Sequence, residues 1–295
     1  SQGGVRGGAA TLHYPIWHLE VEDLLVLKNN KGTEDNRVRH LDYSVQFNKL
    51  MYERLLTGGN ITLFSPADVP GLYEAFFNDQ EEFKRLYETA ERNTHIRKKS
   101  VSAIELIGSF MEERKNTGRV YLQNVDHANT HGAFDEEIAP IHQSNLCQEI
   151  DLPTKPLNSF EDSEGEISLC TLAAINWGNI RTTRDFERVC RLAVRALDEL
   201  LDYQNYPVKA AERSTMHRRP LGVGIVNFAY WLAKNDLNYQ DIDKKGLELV
   251  DEWAEAWSYN LIKASADLAI EKGTISGNEE TKYGKGITPN ETYKK

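Results

Sequence analysis

The sequence predicts an α/β fold, either a barrel or a doubly wound sheet. Short stretches of aromatic and β-branched residues, typical of strands, lie singly between longer stretches with helical spacing of apolar residues. Hydrophobic residues make up 40% of the chain and charged residues 27%, as in globular proteins that build a substantial core. Helices that alternate with single strands favour this class over a helical bundle.

The first half of the chain predicts three strands and several helices. A strand at 11–17 leads into a short helix at 18–27, and a polar loop fills 28–37. Further elements follow in order: a helix at 40–56 that ends at Gly58-Gly59, a strand at 61–64, one or two helices from Ser65 to about Arg92, a helix capped by Ser100 that closes at Gly118, and a strand at 119–125.

The second half is richer in helix. Residues 126–143 show no regular pattern. We then expect a strand at 147–152 that stops at Pro153–Pro156, an extended segment at 165–174, a helix at 182–203 with an apolar stripe that includes Phe186 and Leu197, and helices at 223–234 and 247–271.

Charge and cysteine content limit the possible functions. The formal charge of −10 argues against a protein that coats nucleic acid, although a local arginine and amide cluster can still bind a small phosphorylated ligand. No apolar run reaches the roughly 20 residues that span a bilayer, so we expect no membrane association. An odd count of three cysteines favours a reducing compartment, and we expect a cytoplasmic protein. Because Ser1 opens the chain, we expect a piece of a longer protein.

The segment Ser144–Ile150 carries the most chemically suggestive pattern. If it is extended, Asn145, Cys147 and Glu149 point to one side, because side chains two positions apart share a face. An amide, a thiol and a carboxylate would then converge on one volume. The alternative is a core cysteine in an ordinary strand, since free cysteines are commonly buried.

The other thiols and the histidines predict no metal site. Twenty-two residues separate Cys147 from Cys170, and zinc requires more closely paired ligands. Two neighbouring strands could still bring these two thiols into one pocket. Cys190 lies on the apolar stripe of a helix and is expected to be a core thiol. His127 and His131 are expected to lie in a loop, because Asn129 and Gly132 disfavour a helix.

Two glycine-containing segments are candidate ligand sites. The opening residues Ser1-Gln2-Gly3-Gly4-Val5-Arg6-Gly7-Gly8-Ala9 are either a flexible linker or a loop in which Arg6 contacts a base or a phosphate. Gly222-Val223-Gly224-Ile225-Val226-Asn227 lacks the third glycine of a dinucleotide site, so we expect close helix packing there.

The segment Asn145-Leu146-Cys147-Gln148-Glu149, followed by Leu169-Cys170-Thr171-Leu172, resembles the active-site finger loop and redox strand of class I ribonucleotide reductase large subunits. The resemblance covers nearly the whole chain. Further matching blocks, in the same order, are 1–11, Phe64–Leu72, Gln123–His127 and Leu221–Tyr230.

The resemblance implies a ten-stranded α/β barrel with a finger loop at residues 140–152 inside it. Cys147 would be the thiyl-radical site that abstracts the 3′ hydrogen of a ribonucleoside diphosphate, and Glu149 would accept the 3′-hydroxyl proton. Asn145 would bind the ribose hydroxyls. Cys170, on the 165–174 segment, would be one of two thiols that reduce the 2′ carbon. Residues 144–147 and Glu149 would together bind substrate.

The resemblance also implies partners. Residues 1–9 would form the loop through which ATP or a deoxynucleotide effector sets substrate choice, with Gln2 and Arg6 contacting the base. The 295-residue chain itself would bind no cofactor directly. A small subunit's diiron-tyrosyl centre would supply the radical, and thioredoxin or glutaredoxin would supply electrons. The large subunit would also self-associate.

We expect the N-terminal ATP-cone, the second redox cysteine, the radical-transfer tyrosines and the C-terminal dithiol to lie outside residues 1–295. The chain alone is therefore expected to be inactive, and separately encoded flanking pieces are one way to complete it. The alternative is a non-catalytic remnant or assembly module, which the intact Asn145, Cys147, Glu149 and Cys170 disfavour. Glycyl-radical and cobalamin-dependent relatives also use a finger-loop thiyl, but they match the flanking blocks less well.

Overall fold

A computed structural model describes residues 4, 5 and 7–288. The chain divides into two compact units: unit 1 comprises 1–153 and 280–295, and unit 2 comprises 154–279. The described residues contain no helix that is both long and apolar enough to cross a membrane.

Unit 1 begins with a strand and ends its regular structure with a short helix. Its strands are β1 (Thr11–Pro15), β2 (Asp42–Phe47), β3 (Asn60–Phe64), β4 (Lys98–Ser102) and β5 (Val120–Asn124), and its helices are α1 (Val21–Leu25), α2 (Lys49–Leu56), α3 (Leu72–Asn78), α4 (Gln80–Arg92), α5 (Ala103–Thr117) and α6 (Val125–Thr130). The strands predicted at 11–17, 61–64 and 119–125 are confirmed, as are the helices after Ser65.

A parallel three-stranded sheet in the order β1-β2-β5 organises unit 1. The prediction of a helix over 40–56 is wrong for its first half, because Asp42–Phe47 forms the central strand of this sheet. Tyr43, Val45 and Phe47 face the hydrophobic core, while Ser44 and Gln46 alternate with them and are also buried. This alternation, with polar side chains on one buried face and apolar side chains on the other, is typical of a strand that is covered on both of its faces.

Aromatic side chains fill the core of unit 1. Trp17 packs edge-on against Phe76 at 5.5 Å between ring centroids, and Phe64 meets Tyr87 in the same manner at 5.3 Å. The Tyr87 hydroxyl accepts a hydrogen bond from the Thr62 amide and donates one to the Thr62 carbonyl, each at 2.7 Å. The antiparallel β3–β4 pair is thereby tied to α4.

Helix α5 shows how local sequence sets its bounds. Its N-cap is Ser102 rather than the predicted Ser100, since Lys98–Ser102 pairs with β3 and the Ser102 hydroxyl accepts from the Glu105 amide. Gly118 ends the helix with a left-handed φ of 64°, as predicted.

Unit 2 holds two strands and four helices: β6 (Leu172–Asn176), α7 (Asp185–Tyr203), α8 (Lys209–Arg218), β7 (Gly222–Val226), α9 (Phe228–Lys234) and α10 (Lys244–Lys272). β6 and β7 pair in parallel, with Leu172 opposite Gly222. The predicted helices at 182–203 and 247–271 are confirmed. The expected helix at 223–234 starts only at Phe228, and the expected close helix packing of Gly222 and Gly224 is wrong because both lie in β7.

Four of the five tryptophans lie in unit 2, and Trp177 is at the centre of its core. Its ring lies 5.4 Å from Trp231 and 5.8 Å from Trp253, measured between centroids. Helices α7 and α10 pack against each other beside this cluster, because the apolar stripe of α7 faces the tryptophans and α10.

The mixed helix and strand character of the predicted α/β class is confirmed by these elements. The described residues form three separate sheets of three, two and two strands, and they do not close into a barrel.

Candidate functional site

The segment around Cys147 is a tight turn, so the prediction of an extended strand at 147–152 is wrong. The Gln148 amide donates to the Asn145 carbonyl at 3.1 Å, and an isolated antiparallel bridge joins Ser144 to Asp151. Because the chain reverses here, the alternation that would point residues 145, 147 and 149 to one side does not apply. Asn145, Cys147 and Glu149 are therefore neighbours in one turn and do not share the face of a strand.

Asn145 holds the turn together with its side chain. Its carboxamide oxygen accepts hydrogen bonds from the amides of Glu149 at 3.0 Å and Ile150 at 3.2 Å. The Ser144 hydroxyl donates to the Ile150 carbonyl at 2.8 Å. The carboxamide NH₂ of Asn145 has no hydrogen-bond partner in the part of the chain that the structure describes, so it can donate to a ligand.

Cys147 and Glu149 are both exposed, while Asn145 is half-buried. The bland alternative of a buried core thiol at 147 is therefore excluded. A cavity of about 300 Å³ lies beside the turn and is lined by Gln123, Gln148 and Asp151, among other residues of unit 1. A thiol, a carboxylate and an amide donor thus occur together in one exposed turn.

The polar face of the parallel sheet supports this turn. Thr11 donates to the Leu146 carbonyl at 2.7 Å, and the Gln46 amide donates to the His142 carbonyl at 2.7 Å. The Ser44 hydroxyl donates to the Gln148 side-chain oxygen at 2.6 Å. Sequence reasoning missed these residues, although the alternation of Ser44 and Gln46 with apolar neighbours was a signal for them.

The same sheet face carries buried polar atoms with unused hydrogen-bonding capacity. The His13 ring contacts the Gln123 side chain at 3.2 Å, and burial lowers the pKa of His13 despite that contact. Within the described ranges, His13 Nε2, Gln46 Oε1 and Gln123 Nε2 are buried without a partner. Buried polar atoms are rarely left unpaired, so this face is suited to meet a ligand or another polar segment.

Cys170 is exposed and lies two positions before the start of β6, in unit 2. The expected extended segment at 165–174 is a strand only from Leu172 onward. Cys190 is fully buried on α7, which confirms the prediction of a core thiol, and burial raises its pKa to about 11.

Part of the glycine-rich opening lies outside the described residues, namely Ser1, Gln2, Gly3 and Arg6. Gly4 has a left-handed φ of 76°, and Val5 is 94% exposed beside it in the same turn. A side-chain atom added at Gly7 or Gly8 would meet nothing within 4 Å, and Ala9 is exposed just before β1. Crowding does not explain these glycines.

The prediction that His127 and His131 lie in a loop is wrong. His127 belongs to α6 and His131 is its C-cap, with 5.1 Å between the two ring centroids. Asn129 is compatible with this helix because its amide donates to the Val125 and Ile141 carbonyls. No group of three or more candidate metal ligands occurs among the residues that the structure describes.

A second cavity in unit 1, of about 790 Å³, is lined by residues of α2 and α6 together with Lys282. Lys282 is buried and donates to the carbonyls of Asn129 and Thr130 at the end of α6. Neither Cys147 nor Glu149 lines this cavity, so its size alone does not identify the reactive site.

Comparison with known families matches residues 1–295 to the family described as ribonucleotide reductase, barrel domain. The α subunit of ribonucleoside-diphosphate reductase 1 from Escherichia coli is 61% identical over 295 residues, and the corresponding α subunit from Haemophilus influenzae is 59% identical over 295 residues. The α subunit from Enterobacteria phage T4 is 50% identical over 299 residues. These matches cover all of this chain but only 38%, 39% and 38% of the respective relatives.

Proposed function

Because the chain belongs to the ribonucleotide reductase barrel-domain family, we propose that it is the catalytic centre of a ribonucleoside-diphosphate reductase α subunit. The reaction would convert ribonucleoside diphosphates into 2′-deoxyribonucleoside diphosphates through a cysteine thiyl radical. One observation carries the proposal: an exposed turn presents the thiol of Cys147 between Asn145 and Glu149.

Cys147 would act as the radical. Its sulfur would take the hydrogen atom from C3′ of the ribose, so that the C3′–H bond breaks, an S–H bond forms and the unpaired electron passes to carbon. S–H and sugar C–H bonds are close in strength, which makes this transfer reversible. An oxygen radical at the same position would not be reversible in this way. The exposure of the thiol is consistent with this role.

Glu149 and Asn145 would act on the ribose hydroxyls. The exposed carboxylate of Glu149 would accept the 3′-hydroxyl proton, because a general base must lie within hydrogen-bonding reach of the proton that it removes. The unused carboxamide NH₂ of Asn145 would donate to a ribose hydroxyl. Ser144 and Leu146, on the same turn, would complete the substrate contacts.

Cys170 would supply electrons. It would be oxidised to a disulfide with a thiol outside residues 1–295 as the 2′ hydroxyl leaves as water. Thioredoxin or glutaredoxin would then reduce that disulfide.

The remaining partners follow from the family. A small subunit would supply the radical from a diiron-tyrosyl centre, and ATP or deoxynucleotides would act through residues 1–9. The complete subunit would be a ten-stranded barrel around a finger loop at 140–152, would self-associate and would work in the cytoplasm.

The test is a chimaera in which these 295 residues replace the matching segment of the Escherichia coli α subunit, assayed with that enzyme's small subunit and thioredoxin. We expect product from the chimaera and none from the isolated chain. A Cys170→Ser chimaera should form no deoxynucleotide even in a single turnover, because the electrons for the 2′ carbon are then missing, whereas Cys190→Ser, at a buried helix position, should retain product formation. A chimaera that folds but makes no product would contradict the proposal.

A second candidate is an assembly module without chemistry of its own. The exposure of both Cys147 and Cys170 disfavours it, since a structural thiol is ordinarily buried. In that case the chimaera would bind the small subunit and remain inactive.

A further inference from the structure

Gln148, next to the proposed radical cysteine, has an unusual backbone conformation. Its φ is +59°, in the left-handed region that glycine and asparagine adopt far more readily than glutamine. A residue in such a conformation persists only when its surroundings hold it there. The contacts of Gln148 therefore indicate the role of this strained conformation.

Both polar atoms of the Gln148 carboxamide are bound to the parallel sheet. Its oxygen accepts from the Ser44 hydroxyl on β2 at 2.6 Å, and its NH₂ donates to the Leu122 carbonyl on β5. Ser44 is fully buried, and it is the residue of β2 that pairs with Tyr121, the neighbour of Leu122 in β5. The side chain thus bridges two adjacent strands at one level of the sheet.

Leu146, on the other side of Cys147, is anchored as well. Its carbonyl accepts from Thr11 on β1 at 2.7 Å. Each of the three strands therefore contributes one contact to the two residues that flank the thiol. The thiol itself stays exposed.

We infer that Gln148 is a positioning residue for Cys147, with Ser44 as its partner. This inference rests on the proposed function. A hydrogen atom transfers only over a short distance, so the sulfur must be held in place without being covered. Contacts from the sheet to the neighbouring residues meet both requirements, because they fix the backbone and leave the side chain free.

The experiment compares four variants of the chimaera: Gln148→Gly, Gln148→Ala, Ser44→Ala and the control Gln143→Ala. Gln143 is an exposed glutamine five residues earlier that makes no side-chain hydrogen bond to the residues that the structure describes. Glycine keeps the left-handed backbone without strain and removes the side chain together with its carboxamide, whereas alanine also removes the carboxamide but leaves a strained backbone. Measured quantities are kcat, KM, the melting temperature and amide hydrogen exchange at 144–150.

We expect kcat to fall about 10- to 100-fold in Gln148→Gly and Ser44→Ala, in line with the cost of small misplacements. KM and the melting temperature should remain close to those of the parent chimaera, and exchange at 144–150 should accelerate. Gln143→Ala should match the parent in every respect. If Gln148→Ala does not fold, the glycine and Ser44 variants still decide the question.

A Gln148→Gly chimaera with the parent kcat would overturn the positioning role while leaving the proposed function intact. A fall in kcat that comes with a marked fall in the melting temperature would also overturn the positioning role, because that pattern indicates a purely structural contact. An inactive parent chimaera would instead count against the proposed function, and the positioning role would fall with it.

Discussion

Replacing Asp198 with alanine should destabilise unit 2 strongly, because this carboxylate joins two elements to α7. Arg219, the C-cap of α8, donates to one oxygen at 2.6 Å, and Lys272, the last residue of α10, donates to the other at 2.6 Å. Asp202, one turn along α7, binds both cations as well. Only 8% of the Asp198 side chain is exposed, compared with 39% for Asp202.

The size of the effect follows from this geometry. Two hydrogen bonds to charged groups contribute about 1.5–3 kcal/mol each, but the desolvation of the carboxylate is recovered on its removal, and both cations retain Asp202. We therefore expect Asp198→Ala to lower the free energy of unfolding by about 3 kcal/mol. Asp202→Ala should cost only about 1 kcal/mol, because water screens the more exposed carboxylate.

Tryptophan fluorescence during urea unfolding reports this change, since four of the five tryptophans lie in unit 2. At about 3 °C per kcal/mol, the melting temperature of the Asp198→Ala variant should fall by roughly 9 °C. A loss below about 1 kcal/mol, or equal losses for Asp198→Ala and Asp202→Ala, would refute the view that the buried carboxylate organises this cluster.

Acid should weaken the ion pairs of Asp202 only at low pH: hydrogen bonds from Arg219 hold the pKa of Asp202 at about 2, below its ordinary 3.8. The contribution of Asp202 to stability is thus complete above about pH 4 and is lost as the pH falls through 2, so the Asp202→Asn variant should lose less stability than the parent over that range when unfolding is followed by fluorescence. Iodoacetamide at pH 8 should modify Cys147 but not the buried Cys190, whose pKa burial raises to about 11; peptide mass spectrometry showing equal labelling would contradict this. At Gly118, the C-cap of α5, the positive φ should make Gly118→Ala lower the free energy of unfolding by about 1 kcal/mol. Gly108 lies inside α5 with nothing within 4 Å of an added carbon, so Gly108→Ala should raise the free energy of unfolding by about 0.5 kcal/mol in a thermal melt. Effects of equal sign would exclude the backbone explanation.

The elements that the sequence predicted well are those whose signals are local. The apolar stripe of α7 gave its bounds within a few residues, and Gly118 marked the end of α5. β2 was predicted as a helix because Leu41, Val45 and Leu50 happen to match helical spacing. Its true signal, the alternation of Ser44 and Gln46 with apolar residues, is meaningful only once a partner strand lies on each side.

The candidate site was predicted in its residue types but not in its geometry. The turn at Cys147 contains neither glycine nor proline, and its only turn-forming residues near the start, Ser144 and Asn145, are a weaker local signal. Its shape depends on the Asn145 side chain and on Ser44, which lies 104 positions before Gln148 in the chain. Such long-range contacts cannot be read from the spacing of neighbouring residues.

The identity of the reacting atom is tested most directly by product formation in a Cys147→Ser chimaera, supplied with the small subunit, effector and reductant. The exchange of sulfur for oxygen preserves the size of the side chain and the fold of the turn, but a serine oxygen cannot carry the reversible hydrogen transfer. We expect no deoxynucleotide at any enzyme concentration. Substrate affinity should stay within about two-fold of the parent, because the contacts that bind the substrate in its ground state are kept. Deoxynucleotide formed at a measurable rate by the serine variant would show that the sulfur of Cys147 is not the radical centre.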